Sequence, residues 1–318
     1  MSELTDHPLR EIRLAVIGTG VMGEAMMAGL VDRRLVDAAR VVCSHPRAER
    51  RDALVTAHGV GVTADNAAAA STADIVLLAV KPQMLAPVLA ELRGTLRDDQ
   101  LVVSVIAGAS THALATNLQH PAVVRTMPNT PAQIGQGVTV WFATDSVDER
   151  GRARVRAMLS ALGREFEVHD ERQVAMATAV SGTGPTYVFL FIEALTDAAV
   201  HLGFPRHVAR ELVLDTMSGS AEFALRSGRH VAELRDMVTS PGGTSAEALY
   251  ELEKGRLRTV VSDAVWAAFE RTLQLEARLE GTDTDKDQRR RRSWGPVPLG
   301  GGAHVVREVL ICGTCALK

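Results

Sequence analysis

The sequence predicts two units in succession: an α/β domain built on a doubly wound parallel sheet, then an all-α domain. Three observations carry this. Through the first half, apolar runs without a polar face alternate with helical stretches, as in a sheet buried on both sides. A GxGxxG turn joins the first such run to the first helix. From about residue 170 only helical periodicity remains.

The first expected strand is RLAVI (13–17), which runs into a glycine, with a helix over 22–33 behind it. VVCS (41–44), DIVLLAV (74–80) and LVVSVIAG (101–108) follow as strands, separated by helices over 47–58, 83–93 and 111–118. This alternation implies parallel pairing. VVRTM (123–127), VTVWFA (138–143) and EFEV (165–168) extend the sheet. Beyond it, DERQVAMATAV, TYVFLFIEALTDAAVHLG, RHVARELVLDTMSGSAEFALRSG, AEALYELEKG and RTVVSDAVWAAFERTLQLEARLE read as helices. Pro205 suits a helix start, and Gly203, Gly228 and Gly255 suit helix ends. The domains are therefore 1–169, 170–280 and an atypical tail, 281–318.

A chain of 318 residues has room for two ordinary domains. Its net charge of −3 gives no electrostatic reason to expect nucleic acid as a partner. Three cysteines make no disulfide framework and suggest a reducing compartment. The N-terminus lacks the apolar core of a signal peptide, and YVFLFI (187–192), ending at Glu193, is far too short to span a bilayer. The expectation is a cytoplasmic protein with no membrane partner. No metal site is expected either: CGTC in the tail is a single CxxC, and two cysteines do not complete a zinc site.

The joint after the first strand reads Gly18-Thr19-Gly20-Val21-Met22-Gly23. Gly18 permits a tight turn, Gly20 lets backbone approach a pyrophosphate, and Gly23 lets helix pack on strand. The helix start, at Val21 and Met22, offers amide donors and a partial positive charge to phosphates. This is the signature of a Rossmann-type NAD(P)-binding domain. The second strand chooses the nucleotide, since an acid at its end normally holds the ribose hydroxyls of NAD. Here it ends Cys43-Ser44-His45-Pro46-Arg47, with no acid to repel a 2′-phosphate and with Ser44 and Arg47 able to bind one. NADPH is the expected cofactor and NADH the alternative. The competing reading of Arg47 is that it starts a solvated helix.

The helix over 186–202 is apolar on most faces and must be buried. A helical domain of about 110 residues has limited room to surround it. A homodimer supplies the missing cover; a single-chain bundle is the alternative.

Residues 181–203, SGTGPTYVFLFIEALTDAAVHLG, and 238–255, VTSPGGTSAEALYELEKG, closely resemble pyrroline-5-carboxylate reductase. AVKPQ (79–83) and VVRTMPNTPAQIGQG (123–137) resemble its dinucleotide-domain motifs, and the likeness covers about residues 12–280 in order. The resemblance implies NAD(P)H-dependent reduction of pyrroline-5-carboxylate to proline by a homodimer, with dimers assembling into decamers. It implies that Ser240, Gly242, Gly243, Thr244 and Ser245 hold the substrate. Ser245 stands where the family usually has threonine, with its hydroxyl toward the ring nitrogen. Exposed glycine amides at a helix N-terminus suit a carboxylate; the bland reading of SPGGTS is an N-cap turn.

The resemblance further places Val80, Lys81 and Pro82 beside the cofactor, Asn66 near the adenosine ribose, and Ala107, Gly108, Met127, Pro128 and Asn129 near the nicotinamide. The competing reading of Lys81 is a strand-end lysine in solvent, and Asn66 reads equally as a helix N-cap before AAAA. The nearest other enzyme is a β-hydroxyacid dehydrogenase, but the lysine of its GxGxxxK helix start has no counterpart in SGTGPTYVF. A catalytically inactive NADP-binding regulator is the non-enzyme alternative. The tail does not fit the family, which normally stops near residue 280. Its RRRR run reads as a solvated linker, and a reading-frame change would also account for it.

Overall fold

The computed structural model describes residues 7–280. The expectations for the tail, including RRRR and CGTC, lie outside the described residues. Eight strands form one sheet: β1 (Leu14–Ile17), β2 (Val41–Ser44), β3 (Gly61–Thr63), β4 (Ile75–Leu78), β5 (Leu101–Ser104), β6 (Val123–Met127), β7 (Gly137–Ala143) and β8 (Gly163–Glu167). Their order is β3-β2-β1-β4-β5-β6-β7-β8. The chain winds outward from β1 to β3, returns to place β4 on β1's other side, and winds out again. Helices α1 (Val21–Asp32), α2 (Ala48–His58), α3 (Asn66–Ser71), α4 (Leu85–Leu92), α5 (Thr111–Leu118) and α6 (Glu149–Ser160) connect the strands.

Pairing is parallel except between β6 and β7, where the sequence reading expected a parallel sheet throughout. The reason is local. The link from Pro128 to Gln136 contains only a short 3-10 turn, too little for a parallel crossover. β7 alternates buried and half-buried residues accordingly, with Trp141 fully buried. β3, α3 and α6 go beyond the elements marked by the sequence pattern. Asn66 is the first residue of α3, and the cap is Asp65, whose side chain accepts from the Ala68 amide; the N-cap reading of Asn66 is corrected.

The second unit comprises α7 (Arg172–Ala177), a π-helical turn (Thr178–Gly182), α8 (Gly184–His201), α9 (Arg206–Ser227), α10 (Val231–Met237), α11 (Thr244–Lys254) and α12 (Leu257–Leu279). Arg172–His201 runs as one 30-residue helix with a mean hydropathy of 1.3 in its most apolar stretch. By length and composition alone it is long enough to cross a bilayer, a test that core helices also pass. The helix gains its length by continuing through Ser181-Gly182-Thr183-Gly184-Pro185.

The two units bury apolar surface very differently. Both faces of the sheet carry large clusters, one around Leu14, Met26, Val103 and Trp141, the other around Ile17, Val76, Leu89 and Leu114. The helical unit has one small cluster of Ala175, Ala179 and Phe269. Phe189 and Leu190 on α8 are 61% and 64% exposed. An apolar helix face of this kind is a docking surface, and the single-chain bundle does not form.

Only α7, the π-helical turn and α12 return to the sheet, and an ion cluster holds them there. Arg125 on β6, 3% exposed, donates from Nη1 to Glu171 Oε1 at 3.1 Å and from Nη2 to Glu276 on α12. Glu171 also accepts from the Thr111 amide and hydroxyl, at 2.7 and 2.6 Å. Removing one partner of a buried ion cluster leaves the others uncompensated. Arg125→Met should therefore lower unfolding free energy by about 3–5 kcal/mol, measured by denaturant titration; a loss below ~1 kcal/mol would show that solvent reaches the cluster.

Candidate active site

The first β–α joint lies where the strand order reverses, between β1 and β4, the place where open α/β sheets bind ligands. Gly18 leaves β1 at φ +86°, and a Cβ there would meet Val80 Cα at 2.9 Å. At Gly23 a Cβ would lie 2.9 Å from the Gly18 carbonyl oxygen and 3.0 Å from Ala79. Both are glycines because the backbone is crowded. Gly20 is glycine for another reason: nothing lies within 4 Å of where its Cβ would stand. That open space faces the start of α1, where the amides of Val21 and Met22 have no backbone partner among the described residues. Free amides, a positive helix end and room above Gly20 fit a pyrophosphate.

Several residues that the sequence reading missed hold this turn from beneath. Buried Thr19 donates its hydroxyl to the Ser44 carbonyl at 3.3 Å. Arg50 Nε donates to the Thr19 carbonyl at 3.3 Å, and Arg50 Nη2 pairs with Glu24. His58 Nε2 lies 3.3 Å from the other Glu24 oxygen. Burial pushes the Glu24 carboxyl up, but hydrogen bonds from Arg50 and His58 outweigh it and leave its pKa below the ordinary carboxylate value. Cys43, under the same turn, is pushed up to about 11 by burial and is no thiolate nucleophile.

At the end of β2, Ser44 is 1% exposed and its hydroxyl donates to Asn66 Oδ1 at 2.6 Å; Asn66 Nδ2 donates to Glu91 at 2.6 Å. These two sequence-selected residues touch each other. Arg47 is the N-cap residue of α2, its amide donating to His45 Nδ1 at 3.2 Å and its side chain exposed. It starts a helix and faces solvent at the site's rim at once. Burial, then the nearby Arg47, Arg50 and Arg51, pull the His45 imidazole below its ordinary pKa, so this turn is electropositive.

Val80 packs on Gly18, Lys81 is exposed, and Pro82 opens a 3-10 turn. Ala107 and Gly108 follow β5; Gly108 has φ +77°, and a Cβ there would meet Leu275 of α12 at 2.6 Å. Asn129 is buried with both ends of its amide engaged. Nδ2 donates to the Ser181 carbonyl at 3.2 Å and Oδ1 accepts from the Val138 amide at 2.9 Å. Its side chain braces the joint between sheet and helices, which leaves only its backbone for a ligand.

The loop Ser240–Gly243 turns at Gly242, φ +70°, and Gly243 is the N-cap of α11 with no side-chain cap. Thr244 and Ser245 are the first and second helical residues. SPGGTS does form the N-cap turn of α11, with Gly243 as the cap residue, and neither the Thr244 nor the Ser245 hydroxyl caps the helix. No hydrogen bond or ion pair among the described residues ties residues 203–256 to the sheet.

Residues 171–275 match the family model described as pyrroline-5-carboxylate reductase dimerisation, and residues 13–108 match that described as NADP oxidoreductase coenzyme F420-dependent. A pyrroline-5-carboxylate reductase from Synechocystis is 40% identical over 264 residues, covering 83% of this chain and 98% of its own. One from Pseudomonas aeruginosa is 39% identical, with 84% and 98% covered. The chain belongs to the pyrroline-5-carboxylate reductase family. The crystal structure of Plasmodium falciparum pyrroline carboxylate reductase with NADP bound superposes with a TM-score of 0.78 at 31% identity, covering 84% of this chain and 99% of that one. That from Coxiella burnetii gives 0.76 at 35%, covering 83% and 98%.

The reductase dimerisation match coincides with the unit that has only one small core cluster of its own. Gly18 and Gly20 separate folding from binding in this reductase. Gly20→Ala should keep the melting temperature within ~2 °C, because its Cβ meets open space and an exposed substitution of this kind costs at most about 0.5 kcal/mol. It should weaken dinucleotide binding at least tenfold by fluorescence titration. Gly18→Ala should lose both fold stability and binding, since its φ and Val80 both oppose a side chain.

Proposed function

We propose that the chain reduces L-1-pyrroline-5-carboxylate to L-proline with NADPH, the last step of proline biosynthesis, as a cytoplasmic enzyme that is at least a homodimer. The observation that carries this is the uncapped start of α11 behind Pro241-Gly242-Gly243, in a chain whose relatives are pyrroline-5-carboxylate reductases at 34–40% identity.

The Gly243 amide closes the turn on the Ser240 carbonyl at 3.0 Å, so the free amides of Thr244 and Ser245, with the Ser240 hydroxyl nearby, hold the substrate carboxylate at a positive helix end. The Ser245 hydroxyl faces the ring nitrogen and polarises it. It has no hydrogen-bond partner among the described residues, so it is free to do so. NADPH, the co-substrate, supplies hydride to C5 of the cyclic imine, whose nitrogen takes a proton from water and becomes a secondary amine. A serine hydroxyl is too weak an acid to be the proton source, so its role is orientation and polarisation. Gly18, Gly20, Val21, Met22 and Gly23 bind the pyrophosphate. Ser44, Arg47 and Asn66 hold the adenosine ribose and its 2′-phosphate, and the electropositive turn at His45 supports NADPH over NADH. Val80, Lys81 and Pro82 flank the ribose, while Ala107, Gly108 and the Asn129 backbone form the nicotinamide shelf.

The loop of one subunit meets the sheet of the other. Support comes from residues 203–256, which make no hydrogen bond to their own sheet, and from the bare α8 face. That face suits protein better than lipid. The groove between α8 and α9 mixes Phe189 and Leu190 with Glu193, Asp197, Arg206 and Arg210. Assembly of dimers into a decamer is proposed on the family resemblance alone.

The test is NADPH oxidation with pyrroline-5-carboxylate, set against hydroxyacids with NADP. Turnover of a hydroxyacid and not of the imine would move the chain to the dehydrogenase reading; no turnover of either would favour the inactive regulator. Ser245→Ala should lower kcat about ten- to a hundredfold, the worth of one hydrogen bond to a group gaining charge, with the melting temperature kept because Ser245 caps nothing. Ser245→Thr should preserve activity. The kcat/KM ratio of NADPH to NADH should exceed one and fall in Arg47→Ala.

A further inference from the structure

A second pocket, of about 610 Å³, opens at the N-terminal ends of β1 and β4, the opposite end of these strands from the nucleotide joint. Its walls are the segment entering β1, Asp74 at the entry to β4, and the outer face of α6. Strand β1 separates the pocket from Gly18, a span of roughly 13 Å.

Among the described residues, the acidic groups in it are already paired. Glu11 is taken by Arg40 at 2.6 Å, and Asp74 by Arg13 at 3.1 Å with Arg97 at 3.9 Å. Arg150 and Arg154 line the same pocket with no hydrogen bond or ion pair to any described residue, and Arg10 lines it beside them. Arg154 Nε is the one buried side-chain nitrogen or oxygen among the described residues without a hydrogen-bond partner.

Three physical costs converge here. A buried guanidinium N–H without an acceptor is unfavourable. Arg150 and Arg154 are four residues apart on α6, a repulsive like-charge spacing. Arg150 is also the second residue of α6, where the helix dipole opposes a cation. Burial, then the Arg150 charge, hold Arg154 below the ordinary guanidinium pKa, while Asp74 and Asp148 pull weakly the other way.

One ligand removes all three costs. We propose that this pocket binds a small oxyanion of the phosphate class, carrying at least two negative charges, between the guanidiniums of Arg150 and Arg154. The planar fork of arginine matches phosphate oxygens in pairs. A single phosphate fills only part of the volume, so the pocket has room for a phosphorylated metabolite. The site lies at the other end of β1 from the glycine turn of the reductase site.

The protein saturated with NADP+, which fills the nucleotide's own phosphate contacts, is titrated with inorganic phosphate, with sodium chloride at matched ionic strength as the control. Thermal unfolding and isothermal calorimetry are both read. Phosphate should raise the melting temperature by roughly 2–5 °C beyond chloride and bind one site per subunit. In Arg150→Gln/Arg154→Gln both signals should vanish, while imine turnover stays unchanged. Without phosphate the same variant should melt no lower than the parent, since repulsion is relieved. An equal phosphate response in the variant, or no response beyond chloride in the parent, would overturn the proposal. A rise with malonate and none with phosphate would overturn the phosphate assignment.

Discussion

Arg125 is the constraint on which the arrangement of the two units depends. A guanidinium in the middle of a buried strand is tolerable only if its charge is answered. The answer comes from outside the sheet, from Glu171 where the chain leaves it and from Glu276 where the chain returns. α12 is thereby drawn against the loop after β5, close enough that Gly108 can carry no side chain. Ser110 adds a hydrogen bond to Glu280 at 2.6 Å on the same contact. The shelf assigned to the nicotinamide and the foot of the helical unit are one piece of structure. The intervening helices α8 to α11 are held only through this base, which leaves them projecting toward a second copy.

Much of the fold was legible because parallel strands and helices leave different apolar periods. β1, β2, β4, β5 and β6 each lie within the runs that marked them, and the glycine turn falls at the switch in strand order. What escaped was of two kinds. β3 is three residues long and half exposed, too short to show a period. α6, ERGRARVRAMLS, is so rich in charge that its buried stripe of Val155, Met158 and Leu159 is diluted. The reversal at β7 was hidden because a strand does not announce its direction. Only the shortness of the link before it, Pro128 to Gln136, carried that information.

The site was legible unevenly for a related reason. Backbone roles leave glycines in sequence, so the turn at Gly18–Gly23 and the loop at Gly242–Gly243 stood out. Side-chain roles depend on partners far along the chain. Ser44 meets Asn66 across 22 residues, and Arg50 meets Glu24 across 26. Asn129 was selected for a ligand, whereas its amide turns out to join strand, loop and helix. Arg125 was in plain sight inside VVRTM. A charge within an apolar strand was the signal, and its partners could not be named without the fold.

The π-helical turn at Thr178–Gly182 has a consequence for the assembly. A π turn holds one residue more than the α-helical turn it replaces, and each residue of an α-helix advances the side chains by about 100°. The angular phase of everything downstream is therefore set by a single inserted residue. Upstream, Val174 and Ala175 face the sheet side; downstream, Phe189 and Leu190 face outward. The turn works as an indexing step between two gears: one helix meshes with its own sheet at one end and is rotated to mesh with another molecule at the other. Burial of Ala179 and the contact of Gly182 with Met127 limit which residues fit this segment, and a one-residue deletion would turn the whole outer helix away from its mate.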